Sequence, residues 1–581
     1  MLRRGDTLDM ENKKCQMCAT EFSVDDEDIK FIEDVSPIIA GKKYLIPTPR
    51  TCPDCREQTR LVWRNDRHIF KRKSDKTGNE IIAIYPPNNK EFKIWESNLW
   101  SKDDWNPSDF GRDYDQDRSF FDQVGELTKD VPRQATNATL NENSDYSNQT
   151  WKSKNLYLCF NVGPAEDCYY CSEAWFVKDC VDCLYVKNSE YCYLSFNVHN
   201  SSHCYYSEQL TNCTNTYFSF DCIGCNNVLF CTNLRNKSYC IENKEYSKEE
   251  YEKKVHEYGF EKRSNVISAK KRFDGLKAKA IRKENNNQKT ENCSGDYLFE
   301  CKDCKDCYYS HTSVNCHRVI NIDNDAKDCR DCDFITEADY CYGSTSVAGH
   351  KNNFSVWLEY GSNNLYSNFC AYCSDCLGCV GLRHKQYCIL NKQYSKEEYE
   401  ILAAKIIEKM TKDGEWGEFM PMKYSYFNYN ESVSNLFFPK TKAEAEKLGA
   451  KWQDEDYSLK FDGEAYEPLD DINEYKDEQK QKKLLSGILK CEKTGKAFRI
   501  MPQELVFYLK HIIPIPTSHP EERYMELFRS RNPRKLFKRR CDCSESGHDH
   551  EGRCDIEFQT TFAPERPEIV YCESCYQKSV V

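Results

Sequence analysis

Over two long stretches of the chain the recurring small apolar residue is cysteine, and it recurs in threes. In the first stretch Cys159, Cys168, Cys171, Cys180, Cys183, Cys192, Cys204, Cys213, Cys222, Cys225, Cys231 and Cys240 are separated only by multiples of three, with main steps of 12, 12, 12, 9 and 9 from Cys168. The second repeats the style with Cys301, Cys304, Cys307 and Cys316, then Cys329, Cys332 and Cys341, then Cys370, Cys373, Cys376, Cys379 and Cys388. Tyr, Phe, Asn, Asp and Ser fill the intervals. Short β units punctuated by turn residues predict a β-solenoid, with two units of about 21–24 residues making one coil. In such a stack equivalent side chains form ladders. Aromatic ladders suit β structure, and a ladder of buried thiols can fill a narrow core. The Cys-x-x-Cys pairs within these blocks leave an alternative, metal handling (zinc, copper(I) or an iron–sulfur cluster) or thiol redox chemistry. In an extended strand i and i+3 face opposite ways, so such pairs are expected to chelate only at turns.

Polar periodicity marks the rest. Residues 246–290 are rich in Lys and Glu and read as helix then linker, residues 394–412 repeat the helix, and residues 453–485 read as an acidic helix or tether. Arg56, Arg60, Arg64, Arg67 and Lys71 fall at helical spacing on one face.

Two duplications organise the chain. Residues 47–74 align without gaps onto 514–541, pairing Arg56, Arg64, Arg67 and Lys71 with Arg523, Arg531, Arg534 and Lys538. The match resumes after an insertion, with Pro87 and Glu91 on Pro564 and Glu568. Centrally, Asp221-Cys-Ile-Gly-Cys225 matches Asp375-Cys-Leu-Gly-Cys379, and Tyr246-Ser-Lys-Glu-Glu-Tyr251 recurs as Tyr394–Tyr399. The resulting division is an N-terminal module (1–150), cysteine block 1 (151–245), charged helix and linker (246–290), block 2 (291–393), helix and acidic linker (394–485) and a C-terminal module (486–581).

The termini carry metal-ligand spacing. Cys15-Gln-Met-Cys18 and Cys52-Pro-Asp-Cys55 are two knuckles that together make a closed, structural four-thiolate zinc site. The C-terminal copy has Cys491, Thr494, His519 and Glu522 at those positions, a ribbon that keeps its fold without its zinc. There Cys541, Cys554, Cys572 and Cys575 form a second four-thiolate set, and its N-terminal counterparts Ser74, Thr77, Trp95 and Asn98 cannot. The insertion at 542–553 adds Cys543, His548 and His550, which could replace a ligand or bind a second ion, although no regular ligand spacing links them and they read first as part of a solvated loop. About two zinc ions per chain follow from the two sets. The Cys-x-x-Cys-x-x-x-Phe run and Ile46-Pro-Thr-Pro-Arg-Thr-Cys-Pro-Asp-Cys-Arg56 resemble the treble-clef-like zinc-ribbon domains of bacterial proteins. The C-terminal Ala563-Pro-Glu-Arg-Pro-Glu-Ile-Val-Tyr-Cys-Glu-Ser-Cys-Tyr576 resembles the ends of uncharacterised multi-domain zinc-ribbon proteins of uncultivated small-genome bacteria. The resemblance implies a fold and a metal but no activity.

Composition narrows the function. The chain has 581 residues, 35 cysteines and a net charge of −12, with a mean hydropathy of −0.82. The leading MLRRGDTLDMENKKCQMC has no apolar signal region and no long apolar run follows, so a cytoplasmic protein with reduced thiols is expected. An acidic chain contacts nucleic acid only through local basic surfaces. The candidates are Arg56, Arg60, Arg64, Arg67, Lys71, Arg531, Arg534 and Lys538, for RNA, DNA or a ribonucleoprotein. No nucleophile elbow, phosphate loop or His-Glu-x-x-His motif appears. The expectation is a non-enzymatic, β-rich, multi-domain zinc scaffold, with a pure protein-interaction role as the alternative.

Overall fold

A computed structural model describes residues 11–320, 325–335 and 337–580. The leading ten residues used above to look for a signal region lie outside the described residues. The chain divides into two units, each joining one terminal module to one cysteine block. Unit 1 comprises residues 1–135 and 285–454, and unit 2 comprises residues 136–284 and 455–581.

In unit 2, block 1 is a parallel stack whose register advances by twelve residues. Ser172 pairs with Leu184, Leu184 with Phe196, Phe196 with Glu208 and Glu208 with Phe220. A second ladder runs from Ser202 through Thr214 and Asn226 to Ser238. The pairing begins at Ala138–Thr139, earlier than the expected block boundary. The rung is therefore twelve residues, half the expected 21–24.

The physical reason is in the backbone. From Gln149 to Glu242 nearly every third residue has φ near +50° (Asp167, Tyr170, Glu173 and Phe176 in succession), and the chain bends at each. Asn and Asp are common there because they tolerate the left-handed region. The bend brings i and i+3 back to the same side. Cys168, Cys171, Ala174, Val177, Cys180 and Cys183 all point into one core, so the expectation that i and i+3 diverge fails here.

Outside, ladders form at the same interval. Tyr206 stacks on Phe218 at 4.7 Å, and Asn143 donates to Asn155, which donates to Asp167. The helix Arg263–Lys279 is not a tether. Its Val266, Ala269 and Phe273 are buried with Phe218 and Phe230 of the stack. Residues Ile281–Lys283, read as linker, pair in parallel with Ile569–Tyr571 of the C-terminal module.

Unit 1 repeats the plan on block 2, with Gly295 paired to Cys307 and Ser374 to Gln386. Here the register slips, to thirteen at His317–Arg330 and eleven at Thr345–Val356. The helix Lys396–Asp413, with its Ser395/Glu398 capping box, buries Tyr399, Ala403, Ile406, Ile407 and Met410. They join a core containing Trp63, Tyr85, Phe120 and Tyr366. The duplicated Tyr-Ser-Lys-Glu-Glu-Tyr is thus a helix start, and Ser247 with Glu250 forms the same capping box in unit 2. No helix among the described residues is long and apolar enough to cross a membrane.

Candidate metal centres

Each terminal module has two stations at which separate segments of the chain converge. At the first, a hairpin and a helix start converge. In unit 1 the strands Glu11–Lys14 and Glu21–Val24 carry a tight knuckle in which Cys15 N–H donates to Thr20 O and Ala19 N–H donates to Cys15 O. Cys52 caps the helix Pro53–Leu61, whose first turn holds Cys55. Cys15, Cys18, Cys52 and Cys55 place all four sulfurs within 4.8 Å of one another, with Cys18 and Cys52 3.6 Å apart. The set can hold one metal ion. Hydrogen bonding from the Cys55 thiol, against the cost of burial, lowers Cys52 to about 7, so a ligand thiolate is accessible near neutrality.

Unit 2 keeps this geometry with other chemistry. Cys491 N–H donates to Lys496 O and Gly495 N–H to Cys491 O, both 2.9 Å. Ala19 and Gly495 share the left-handed conformation, at φ 62° and 70°. His519 stands in the place of Cys52 at the start of the helix Pro520–Arg529, where its Nδ1 accepts from Glu521 N–H. A hydrogen-bonded cap replaces a metal ligand, and no metal-binding group at Cys491 and His519 is found among the described residues.

The second station reverses the arrangement. In unit 2 Cys541, Cys554, Cys572 and Cys575 are all buried with sulfurs within 4.8 Å of one another, and Cys572 N–H donates to Cys541 Sγ at 3.3 Å. In unit 1 the Ser74 and Thr77 hydroxyls donate to Glu96. The structure corrects the residue correspondence by one. Ile94 N–H donates to Asp75 as Val570 N–H donates to Asp542, which puts Glu96, not Trp95, opposite Cys572.

The inserted loop is not simply solvated. Cys543, His548, His550 and Cys575 form a third group able to hold a metal ion, with ligand atoms again within 4.8 Å. Sequence spacing gave no sign of it, because the loop folds back onto a cysteine already assigned.

The basic stripe also differs from expectation, because its arginines are turned into the stacks. Arg56 pairs with Asp331 at 2.9 Å and Arg60 with Asp333 at 2.6 Å, and the Arg60 side chain is 2% exposed. Arg64 bonds Asp66 and Ser346 and lies 3.7 Å from the Phe334 ring centre. In unit 2 Arg523 pairs with Asp182 at 2.8 Å and Arg531 with Glu173 at 3.0 Å. Arg67 and Arg534 are half-buried, and only Lys71 and Lys538 of the set are exposed. The phosphate-binding reading of Arg60, Arg64 and Arg531 is corrected, because their buried guanidinium groups are unavailable to a polyanion, whereas Arg56 is partly exposed and held by Asp331. Apart from Asp66, the acidic partners lie 273–358 residues away, beyond what sequence spacing shows.

The central thiols have a structural task. At each bend the carbonyl two residues before an inward residue faces the core. Cys168 Sγ donates to Glu166 O, Cys180 to Lys178 O and Cys192 to Glu190 O. Serines at the same positions do likewise, Ser189 to Lys187 O and Ser195 to Tyr193 O. Some also accept, as Ser201 Oγ does from Cys213 N–H. Burial pushes the Cys168, Cys171 and Cys183 thiols up, keeping them protonated. Comparison with known protein families, with characterised proteins and with solved structures finds no match.

Proposed function

We propose that the chain is a non-enzymatic, zinc-stabilised scaffold that binds protein partners along the outer faces of two narrow, cysteine-cored β-solenoids. The observation that carries this reading is the use of the terminal arginines: Arg56 and Arg523, duplicates of one another, both pair with a buried aspartate of a stack. The modules are therefore clasps on the stacks. Four-sulfur sets of this geometry suit zinc, and a closed shell stabilises without catalysing. A hairpin knuckle facing a helix start supports the treble-clef-like zinc-ribbon resemblance at residues 15–60. Twelve-residue register, inward residues at every third position and aligned outer ladders support the solenoid reading. Trp151 and Phe176, 46% and 57% exposed, give the outer face of block 1 aromatic contact points. Thiols buried in the stacks and bonded to inward carbonyls speak against redox or metal traffic in the blocks.

Nucleic acid is the second reading, and it now rests on the exposed Lys71 and Lys538 with the half-buried Arg67 and Arg534. The test is to purify the full chain at low and high salt and to measure bound nucleic acid and captured protein together. Protein capture that Trp151→Glu with Phe176→Glu abolishes is expected, with no nucleic acid retained. Nucleic acid released steeply by salt and lost in Lys71→Glu/Lys538→Glu, with unchanged thermal unfolding, would overturn the proposal.

A further inference from the structure

Two of the three metal-binding groups share a residue. Cys575 belongs both to the set with Cys541, Cys554 and Cys572 and to the set with Cys543, His548 and His550. We infer that the C-terminal module holds two divalent ions of the zinc class bridged by the Cys575 thiolate, seven side chains serving both. The inference rests on the zinc reading above and extends it from one ion to two at this end.

The histidines are oriented as ligands. His550 Nδ1 lies 2.9 Å from Gly552 O, so that nitrogen carries the proton and donates to the carbonyl. Its Nε2 lone pair is then free, and it lies 3.4 Å from Cys575 Sγ. His548 turns Nδ1 toward Cys543 Sγ at 3.1 Å, and its Nε2 faces the Glu545 carboxylate at 3.6 Å. A backbone carbonyl or carboxylate behind the distal nitrogen is the usual support of a metal-bound imidazole, fixing tautomer and ring orientation. Glu545 is itself held, accepting from the Tyr571 and Ser579 hydroxyls.

Burial and charge agree. Cys543 is fully buried and the His548 side chain is 6% exposed, so both ligand atoms are held out of water beside one another. Five thiolates and two neutral imidazoles around two divalent ions leave one net negative charge, against two for a lone four-thiolate ion. The second shell, two sulfurs and two nitrogens, is four-coordinate and closed, so it locks the loop and offers no open position for catalysis.

The test is metal analysis of the full chain purified with zinc. Three ions per chain are expected, falling to two in His548→Ala/His550→Ala, which leaves the four-sulfur set intact. Cys52→Ser, at the other end, should independently remove one. The same chain loaded with cadmium-113 should show two C-terminal resonances split by coupling through the shared sulfur. In the histidine variant one resonance should remain, unsplit. Two ions in the parent chain, unchanged by the histidine substitutions, would overturn the inference while leaving the four-sulfur zinc reading standing. Three ions with no cadmium–cadmium coupling would also overturn it, since the sulfur would then not bridge. No metal at Cys15, Cys18, Cys52 and Cys55 would instead defeat the zinc reading itself.

Discussion

The two terminal modules solve one folding problem with opposite choices. Each must tie a hairpin to a helix start and, further along, a strand to a turn. Unit 1 uses four sulfurs at the first station and the Ser74, Thr77 and Glu96 hydrogen bonds at the second. Unit 2 uses the His519 cap at the first and a thiolate cluster at the second. The backbone turns survive the exchange, as the matched bonds of Cys15 and Cys491 show. The difference teaches that the same backbone turns accept either a cysteine set able to hold a metal or a hydrogen-bonded cap at each station.

The largest effect should come from breaking that symmetry at matched residues. Cys52→Ser removes a ligand, so the full chain should lose one zinc ion and several kcal/mol, since binding energy of about 10–16 kcal/mol for a structural zinc is folding energy. His519→Ser exchanges one helix cap for another and should cost within about 0.5 kcal/mol. Metal analysis with urea unfolding measures both. Equal losses would mean the first station of unit 2 still holds a metal.

The next contrast lies where the modules grip the stacks. Asp331 and Asp182 both sit at bends, at φ 51° and 53°, and each receives the duplicated arginine. Their charge surroundings differ. Burial raises Asp331, but Arg56, Arg318 and Arg60 outweigh it and hold the carboxyl below its usual range. In unit 2 Arg523 is shared with Glu504 at 3.4 Å. Burial therefore pushes Asp182 up to about 6, opposed by Arg523 and assisted by Glu504. Asp331→Asn should strip a charge from a buried cluster and cost about 3–5 kcal/mol at pH 7. Asp182→Asn should cost less than about 1.5 kcal/mol there.

The sign with pH follows. A raised folded pKa means Asp182 contributes stability that is full below about pH 4 and is lost as pH rises through about 6. Asp331, lowered, contributes stability present above about pH 4 and lost on acidification below it. Relative to Asp182→Asn, the parent chain should lose about 1 kcal/mol between pH 5 and pH 7 in urea unfolding. A flat difference would show that Arg523 neutralises Asp182 fully.

The stations were readable in sequence because thiolate spacing is local: Cys15, Cys18, Cys52 and Cys55 come together as their knuckles require. The twelve-residue interval was equally visible in the cysteine steps. Spacing alone does not give the rung length, because an extended strand cannot turn so tightly and only the left-handed residue at each third position makes a rung so short. The arginine stripe was read as free because spacing shows which residues share a helix face and not what that face meets. That Cys543, His548 and His550 could share an ion with Cys575 depends on a loop closing on that cysteine, which no local spacing encodes.

The smallest effect tests what the two stacks have in common. Cys231 in unit 2 and Cys379 in unit 1 play the same part. Cys231 donates to Leu229 O and Cys240 O, Cys379 to Leu377 O and Cys388 O, and the backbone N–H of each donates to a serine one rung before, Ser219 or Ser367. What the position requires is a small side chain that can donate to inward carbonyls. Cys→Ser keeps the donor and should cost less than about 1 kcal/mol at either site. Cys→Val keeps the apolar volume but removes the thiol donor to carbonyls that also accept backbone N–H bonds, Leu229 O from Glu242 and Leu377 O from Leu390, and should cost about 1 kcal/mol more than Cys→Ser. Were apolar filling the sole reason for cysteine, valine would be the milder change. Urea unfolding of the four single variants, ranked against one another, decides between the two accounts.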